Sequence, residues 1–273
     1  MSATEDVLAR DFADIAVSLD GNVATVEIQR PPNNFFDHAL ILQLADAFAG
    51  LDAMDACRAI VLASDGKHFC AGANFGTGRD DNADAEFTEE GFRNTTHKLY
   101  SEGVRLFGYR KPVVGAIQGS AVGGGLGVAL VPDFRVATPN TRFAANFSKL
   151  GIHPGFGLTV TLPAIIGQQK AQLMFYTGRR IKGDEALEWG LADLLVEEDQ
   201  LRSAAVELAR EIAESAPLAL MSVRATMRQG LAERIARATD HELAEQQWLR
   251  ATEDAQEGIR AVSERRPGNF NNR

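Results

Sequence analysis

Cysteine is scarce in this chain, with two residues, Cys57 and Cys70, among 273. They form no Cys-X-X-Cys pair or other metal-ligand spacing, so we predict two small buried side chains and no metal site. Positive charge is also in the minority, since 28 Lys and Arg stand against 37 Asp and Glu, for a net charge of −9. A surface of that sign repels phosphate, which argues against a nucleic-acid partner.

Long apolar runs are missing as well. No stretch reaches the ~18 apolar residues that a transmembrane helix needs. The first residues, MSATEDVLARDFAD, are acidic and lack the apolar segment of a signal peptide. We therefore expect no membrane partner and a cytoplasmic location. With 45% apolar residues, the chain can bury a sizeable core.

The first two thirds of the chain alternate between predicted strands and helices. Strands at 15–19 and 23–28 flank Asp20-Gly21, which is typical of a hairpin. The apolar run 58–63 suits a strand that is buried on both faces. This alternation indicates an α/β architecture with parallel pairing. The remaining predicted elements are helices at 39–51, near 92–108 and at 126–131, and strands at 113–118 and 133–137.

After Gly167 the pattern is helical. We place a domain boundary within this part, with an α/β core at 1–198 and a helical region at 199–273. Apolar stripes in the helical region, such as those containing Leu201 and Leu243, predict that it packs on the core or on a neighbouring chain. The predicted helices span 168–176, 184–190, 199–215, 217–229 and 231–257.

Two glycine-containing segments carry the candidate chemistry: GKHFCAGAN at 66–74 and GSAVGGGLG at 119–127. Each follows a buried strand and ends in small residues, so backbone N–H groups can face a ligand without a side chain between them. Two such donors on one oxygen form an oxyanion hole. A tight turn explains a glycine cluster equally well. The dinucleotide, P-loop and nucleophile-elbow motifs are absent from the second segment.

Together with VEIQRPPNN, DFRVA, LGIHPGFG, TGRRIKGDEALEWGLAD and ERRPGNF, these segments resemble the crotonase (enoyl-CoA hydratase/isomerase) superfamily from about Ile15 to Phe270. The resemblance implies a spiral of ββα turns with a C-terminal helical trimerisation region, assembled as a homotrimer or hexamer. It implies an acyl-CoA substrate, so that coenzyme A belongs to the substrate and no separate cofactor is expected. The N–H groups of Ala73 and Gly124 would hold the thioester oxygen, with Ala71, Gly72 and Gly123 as neighbouring binding residues.

The same resemblance shows a departure. Hydratases of this family carry glutamates at the positions that are Gly127 and Phe147 here, and related isomerases and dehalogenases carry an aspartate at the position that is Gly155. All three positions lack a carboxylate. The usual addition of water by a glutamate pair therefore has no support at its usual places.

Other residues could replace these carboxylates. His153 lies in a loop that borders the acyl pocket in relatives, and histidine titrates near neutral pH. A loop histidine bonded to the backbone is the alternative. Tyr100, with His97 about one turn earlier, is a second candidate, against a core tyrosine and a solvated histidine. We therefore assign His153 and Tyr100, with Ala73 and Gly124, as candidate catalytic residues.

Three further groups have structural alternatives. Asp37 could serve chemistry or be a helix N-cap. Arg265, with Arg260 and Arg266, could meet coenzyme A phosphates, as basic residues there do in relatives, or lie on solvated surface. The phenylalanines near family pocket positions suggest an apolar acyl pocket, but core packing explains most of them: Phe35, Phe36, Phe75, Phe147 and Phe156.

Two classes of function remain open from the sequence. The first is an acyl-CoA enzyme, a hydratase or isomerase or a crotonase-type β-diketone C–C hydrolase, that stabilises an enolate or oxyanion. The second is a non-catalytic acyl-CoA-binding or trimeric assembly protein. The glycine segments favour the enzyme, and the empty carboxylate positions favour the second class.

Overall fold

A computed structural model describes residues 7–74 and 93–273. Phe75, and the start of the helix predicted near 92–108, lie outside the described residues. The main sheet has six strands in the order β1-β2-β3-β4-β6-β9, and a second sheet has three in the order β5-β7-β8. The strands are β1 Ile15–Asp20, β2 Val23–Ile28, β3 Ala59–Ser64, β4 Val113–Ile117, β5 Ser120–Val122, β6 Phe134–Ala137, β7 Arg142–Ala144, β8 Arg180–Lys182 and β9 Leu194–Leu195.

Ten α-helices lie in the described part of the chain. Short 3-10 segments at Asn146–Leu150 and Glu198–Gln200 and a π turn at Arg93–His97 join them. None of the helices in these two ranges is long and apolar enough to cross a membrane. The helices are α1 His38–Ala53, α2 Lys98–Arg105, α3 Gly124–Ala129, α4 Leu158–Ile166, α5 Gln168–Thr177, α6 Gly183–Trp189, α7 Leu201–Ala213, α8 Pro217–Met227, α9 Leu231–Leu249 and α10 Glu253–Ser263.

The strands of the main sheet distribute their side chains to two apolar layers. Strand β3 is buried at every position. Ile60 and Leu62 join the large cluster that also contains the α1 side chains, whereas Val61 joins a second cluster with the α7 residues Leu201 and Ala205. Because successive strand residues point to opposite faces, a continuous apolar run is what a sheet covered on both sides requires.

The predicted hairpin is confirmed. Strands β1 and β2 pair antiparallel with Asp20 opposite Val23, and Gly21 takes the left-handed φ of 57° that the turn needs. The other pairs of the main sheet are parallel, as the strand–helix alternation predicts. Asp37 is the N-cap of α1, where its side chain accepts a hydrogen bond from Leu40 N at 2.9 Å.

Several predicted boundaries were wrong. The region 231–257 is two helices rather than one, because Thr252 takes an extended conformation and caps α10 through Ala255 N. The helix predicted near 92–108 is shorter, with a π turn before Lys98. The short strands β5, β7 and β8 and helix α4 were not predicted.

Candidate active site

The two glycine-containing segments lie side by side. After β3, the chain passes alongside β5, with Cys70 bridging Ala121 in parallel orientation. Cys70 N donates to Ser120 O at 3.0 Å, and Val122 N donates to Cys70 O at 3.1 Å. The two segments also stay in contact where α3 begins, since a Cβ on Gly125 would lie 2.2 Å from Cys70 O.

The N–H groups of Ala73 and Gly124 are unused among the described residues. Over residues 7–74 and 93–273, neither the N–H of Ala73 nor that of Gly124 donates a hydrogen bond. Gly124 is buried and opens α3, following Gly123, which has a φ of 57°. Buried N–H groups in proteins are almost always paired, so the unused donor of buried Gly124, with that of half-buried Ala73 on the neighbouring segment, is a candidate to bind an anionic or carbonyl oxygen.

The remaining predicted binding positions surround these donors. Gly72 has a φ of 90°, and a Cβ there would lie 2.7 Å from Val122 O, so only glycine lets the two segments approach this closely. Ala71 N donates to Asn33 O at 2.9 Å, which ties the first segment to the loop before α1. Gly123 N donates to Ala144 O in β7. The structure therefore brings Ala71, Gly72, Ala73, Gly123 and Gly124 together.

Both cysteines are free and buried, as predicted. Burial raises the pKa of the Cys70 thiol to about 12, although hydrogen bonds from the Gly72 and Phe36 backbone oppose the shift. The thiol of Cys70 is therefore protonated at neutral pH and is a packing group beside the candidate site. In the part of the chain that the structure describes, no group of three His, Cys, Asp or Glu residues could hold a metal ion.

Aromatic rings occupy the space around the positions without carboxylates. A Cβ on Gly127 would lie 2.6 Å from Cδ1 of Phe156. Phe156 is buried, with a left-handed φ of 61°, and stands edge-on to Phe36 and Tyr100 at centroid distances of 5.9 and 6.1 Å. These packing distances are typical of favourable edge-to-face aromatic pairs.

Tyr100 lies against the third of these positions. A Cβ on Gly155 would be 1.9 Å from the Tyr100 hydroxyl. That hydroxyl accepts a hydrogen bond from Gln246 Nε2 at 3.0 Å, and the same nitrogen donates to His153 O at 2.9 Å. Tyr100 is therefore a core residue with its hydroxyl in a polar network that includes the His153 loop. Its catalytic role stays a prediction.

His153 is partly buried, and its ring is bonded to the backbone. Its Nδ1 lies 2.8 Å from Pro154 O, and since a carbonyl can only accept, Nδ1 carries the proton and Nε2 is the basic nitrogen. The ring stands edge-on to His241 of α9, at a centroid distance of 5.8 Å. This placement agrees with the alternative of a backbone-bonded loop histidine, and a catalytic role stays a prediction.

Sequence reasoning missed two buried polar residues of α9 that hold this loop. Glu242 accepts from Gly157 N at 2.8 Å and from the backbone and hydroxyl of Thr159, so it caps α4 from another helix. Burial raises the pKa of the Glu242 carboxyl, and these hydrogen bonds partly offset the shift. Gln246 is the second residue, one turn further along. Glu242 and Gln246 lie one turn apart within the apolar stripe of α9, and this spacing could have suggested that both polar side chains are buried.

The basic residues near the C-terminus lie on the surface. Arg266 pairs with Glu257 and Glu264, and Arg260 lies 4.0 Å from Glu257. Arg265 is exposed, with a left-handed φ of 56°. A role of Arg265 at coenzyme A phosphates stays a prediction.

The fold is the α/β fold of the crotonase class. The chain belongs to the enoyl-CoA hydratase/isomerase family, whose model matches residues 18–273. The α/β, crotonase-like fold predicted from the sequence is thereby confirmed, and the chain is an acyl-CoA enzyme of this family.

Individual relatives agree with this assignment. A carnitinyl-CoA dehydratase from Salmonella typhi is 32% identical over 253 residues, which cover 90% of this chain and 94% of the relative. An enoyl-CoA hydratase/isomerase structure from Pseudoalteromonas atlantica T6c has a TM-score of 0.80 at 25% identity and covers 94% of this chain and 100% of its own. An enoyl-CoA hydratase structure from Bacillus anthracis has a TM-score of 0.73 at 28% identity, over 94% and 98%.

Proposed function

We propose that this enzyme binds the carbonyl oxygen of an acyl-CoA thioester between the N–H groups of Ala73 and Gly124 and stabilises an enolate or related oxyanion there. The observation that supports the proposal is the pairing of the two segments at Cys70 and Ala121, each of which then carries an N–H group, at Ala73 and at Gly124, that donates to none of the described residues. One such donor typically contributes ~10²–10³-fold in rate, because it stabilises charge that develops only in the transition state.

We further propose that the reaction proceeds without carboxylates at the three family positions. Supporting this, Phe156 closes the space beside Gly127, the Tyr100 hydroxyl closes the space beside Gly155, and position 147 is a buried phenylalanine. An apolar, aromatic environment favours an apolar acyl group. A crotonase-type C–C hydrolase acting on a β-diketone is the alternative chemistry, and a non-catalytic acyl-CoA-binding protein is the alternative role.

A substrate panel tests the proposal. Purified protein is assayed for turnover of enoyl-CoA, 3-hydroxyacyl-CoA and β-diketone compounds, and for binding of the same compounds by calorimetry. Turnover of a CoA ester supports the proposed enzyme, and hydrolysis of a free β-diketone supports the C–C hydrolase. Binding without turnover supports the non-catalytic role. If the protein binds none of the CoA esters, the proposed thioester site is wrong.

His153 is our first candidate for an acid/base or orienting group, through its Nε2 nitrogen. His153→Ala is expected to lower kcat/KM at least ~10-fold, which corresponds to about 1.4 kcal/mol of transition-state stabilisation. Tyr100→Phe is the companion variant, because it removes only the hydroxyl that Gln246 holds. A wild-type rate for His153→Ala together with a slow Tyr100→Phe enzyme would transfer the role to Tyr100.

We also propose that the chain assembles as a homotrimer or hexamer through its helical region. Helix α8 buries no residue within one chain and exposes Leu218 (78%), Val223 (61%) and Met227 (80%). A helix with this much exposed apolar surface is typical of a subunit interface.

Light scattering on the full chain tests this assembly. We expect three or six times the 29.5 kDa chain mass at micromolar concentration. The double variant Val223→Glu/Met227→Glu is expected to shift the mass towards the monomer, because it places charge in an apolar contact. Ser222→Glu, which changes an exposed polar residue of the same helix, is the control. A monomeric wild type would contradict the proposal.

A further inference from the structure

Asn146 lies beside Gly123, next to the proposed thioester site. Strand β5 pairs with Cys70 on one side and with β7 on the other, where Val122 is opposite Ala144. Gly123 N donates to Ala144 O at 2.9 Å, and Asn146 begins the 3-10 segment two residues after Ala144. The Asn146 Oδ1 atom lies 3.6 Å from the position that a Cβ on Gly123 would take.

This oxygen is a buried acceptor that has no partner among the described residues. Asn146 Oδ1 has under 1 Å² of exposed surface, and none of the described residues donates a hydrogen bond to it. Its neighbour Phe147 is buried and points its Cζ atom to within 3.8 Å of the same Gly123 position. Leaving a buried carbonyl oxygen unpaired is costly, so the Asn146 Oδ1 atom needs an explanation.

The chemistry of the amide limits what it can do. A neutral carboxamide oxygen accepts a hydrogen bond but cannot remove a proton at neutral pH, so a role in acid/base catalysis is excluded. It can orient a ligand that offers an O–H or N–H group. Gly123 and Gly124 are consecutive residues, so a ligand group bonded to Asn146 would lie close to a thioester carbonyl bound at Gly124 N. Within the ligand, this O–H or N–H group would therefore be only a few bonds from the carbonyl.

We propose that Asn146 is a specificity residue whose Oδ1 accepts a hydrogen bond from a donor on the bound acyl thioester. The inference rests on the proposed thioester site. Two parts of an acyl-CoA can supply this donor: a hydroxyl on the acyl chain near the thioester, or an amide N–H of the pantetheine arm. A 3-hydroxyacyl group is the acyl class that places its hydroxyl two carbons from the carbonyl.

Calorimetric binding to the full-length protein tests this inference, with butyryl-CoA and 3-hydroxybutyryl-CoA as probes. Asn146→Leu is expected to weaken binding of the hydroxylated ester by about 3- to 10-fold, the value of one neutral hydrogen bond. If the acyl hydroxyl is the donor, butyryl-CoA binds the variant as it binds the wild type. If the pantetheine amide is the donor, both esters weaken equally.

Thermal unfolding separates ligand binding from a structural role. Removal of an unpaired buried acceptor is expected to leave the Tm of the ligand-free variant unchanged or raised, whereas a structural asparagine would lower it. Ser148→Ala, which changes an exposed residue of the same 3-10 segment, is the matched control and should bind both esters normally.

Equal affinities of wild type and Asn146→Leu for both esters would overturn the inference while leaving the thioester site intact. A wild type that binds neither ester would overturn the proposed function and the inference together. A lowered Tm with unchanged affinities would assign Asn146 to the fold.

Discussion

Gly124→Val is expected to lower acyl-CoA turnover by at least ~100-fold and to weaken acyl-CoA binding. Loss of one oxyanion donor typically costs this much, and a side chain at position 124 interferes with the donor. A Cβ on Gly124 would lie 2.0 Å from Cζ of Phe36, so the ring and the glycine backbone must move apart. Overpacking of this kind also costs stability, about 1–3 kcal/mol, so we expect a folded protein with a lower Tm.

A matched pair of variants separates obstruction of the donor from loss of stability. Gly124→Ala keeps the N–H but collides with Phe36, whereas Gly124→Ala/Phe36→Ala removes the collision. The double variant is expected to recover acyl-CoA binding relative to Gly124→Ala, with Phe36→Ala as the control. Initial rates, calorimetric affinities and Tm values are measured for the wild type, Gly124→Ala, Phe36→Ala and the double variant. Unchanged kinetics in Gly124→Val would show that the thioester oxygen lies elsewhere.

Gly127→Glu has the second large expected effect, and it is on stability. This change places a glutamate where the resemblance puts one in hydratases, yet its Cβ would lie 2.6 Å from Phe156 Cδ1 and 3.0 Å from Phe156 Cβ. Overpacking costs about 1–3 kcal/mol, and an unpaired carboxylate in an apolar site adds to that cost. We therefore expect a marked fall in Tm and no gain in crotonyl-CoA hydration.

The double variant Gly127→Glu/Phe156→Gly tests whether Phe156 occupies the glutamate's space. Phe156 has a φ of 61°, a conformation that glycine adopts without strain, and its ring also fills the space beside Gly103. The free energy of unfolding of the double variant is expected to be about 1–3 kcal/mol higher than the sum of the two single-variant changes predicts. We also expect it to hydrate crotonyl-CoA faster than the wild type.

The wild type is the reference for hydration. One general acid/base group typically supplies ~10²–10⁴-fold, so an enzyme without the two glutamates should hydrate crotonyl-CoA far more slowly than a dedicated hydratase. Phe156→Gly alone is the control for the cavity that the missing ring leaves. Efficient hydration by the wild type would reveal a substitute carboxylate, and strict additivity of the two changes would contradict the packing argument.

Local sequence patterns were sufficient where a few neighbouring residues set the structure. The Asp20-Gly21 turn, the N-cap at Asp37 and the doubly buried strand β3 all follow from residue type and short-range spacing. The short strands β5 and β7 were missed because three residues are too few for a periodic pattern. In addition, β5 pairs with Cys70, some fifty residues earlier, and β7 pairs with β5.

The sequence by itself determined the family, the two candidate glycine-containing segments and the absence of carboxylates at positions 127, 147 and 155, since each depends on the identity of residues along the chain. Only the tertiary structure decided what fills those positions. Phe156 lies against Gly127, and the Tyr100 hydroxyl lies against Gly155 while α9 holds it through Gln246. These contacts join residues 29 to 146 positions apart in the chain, and packing between distant segments leaves no local pattern in the sequence.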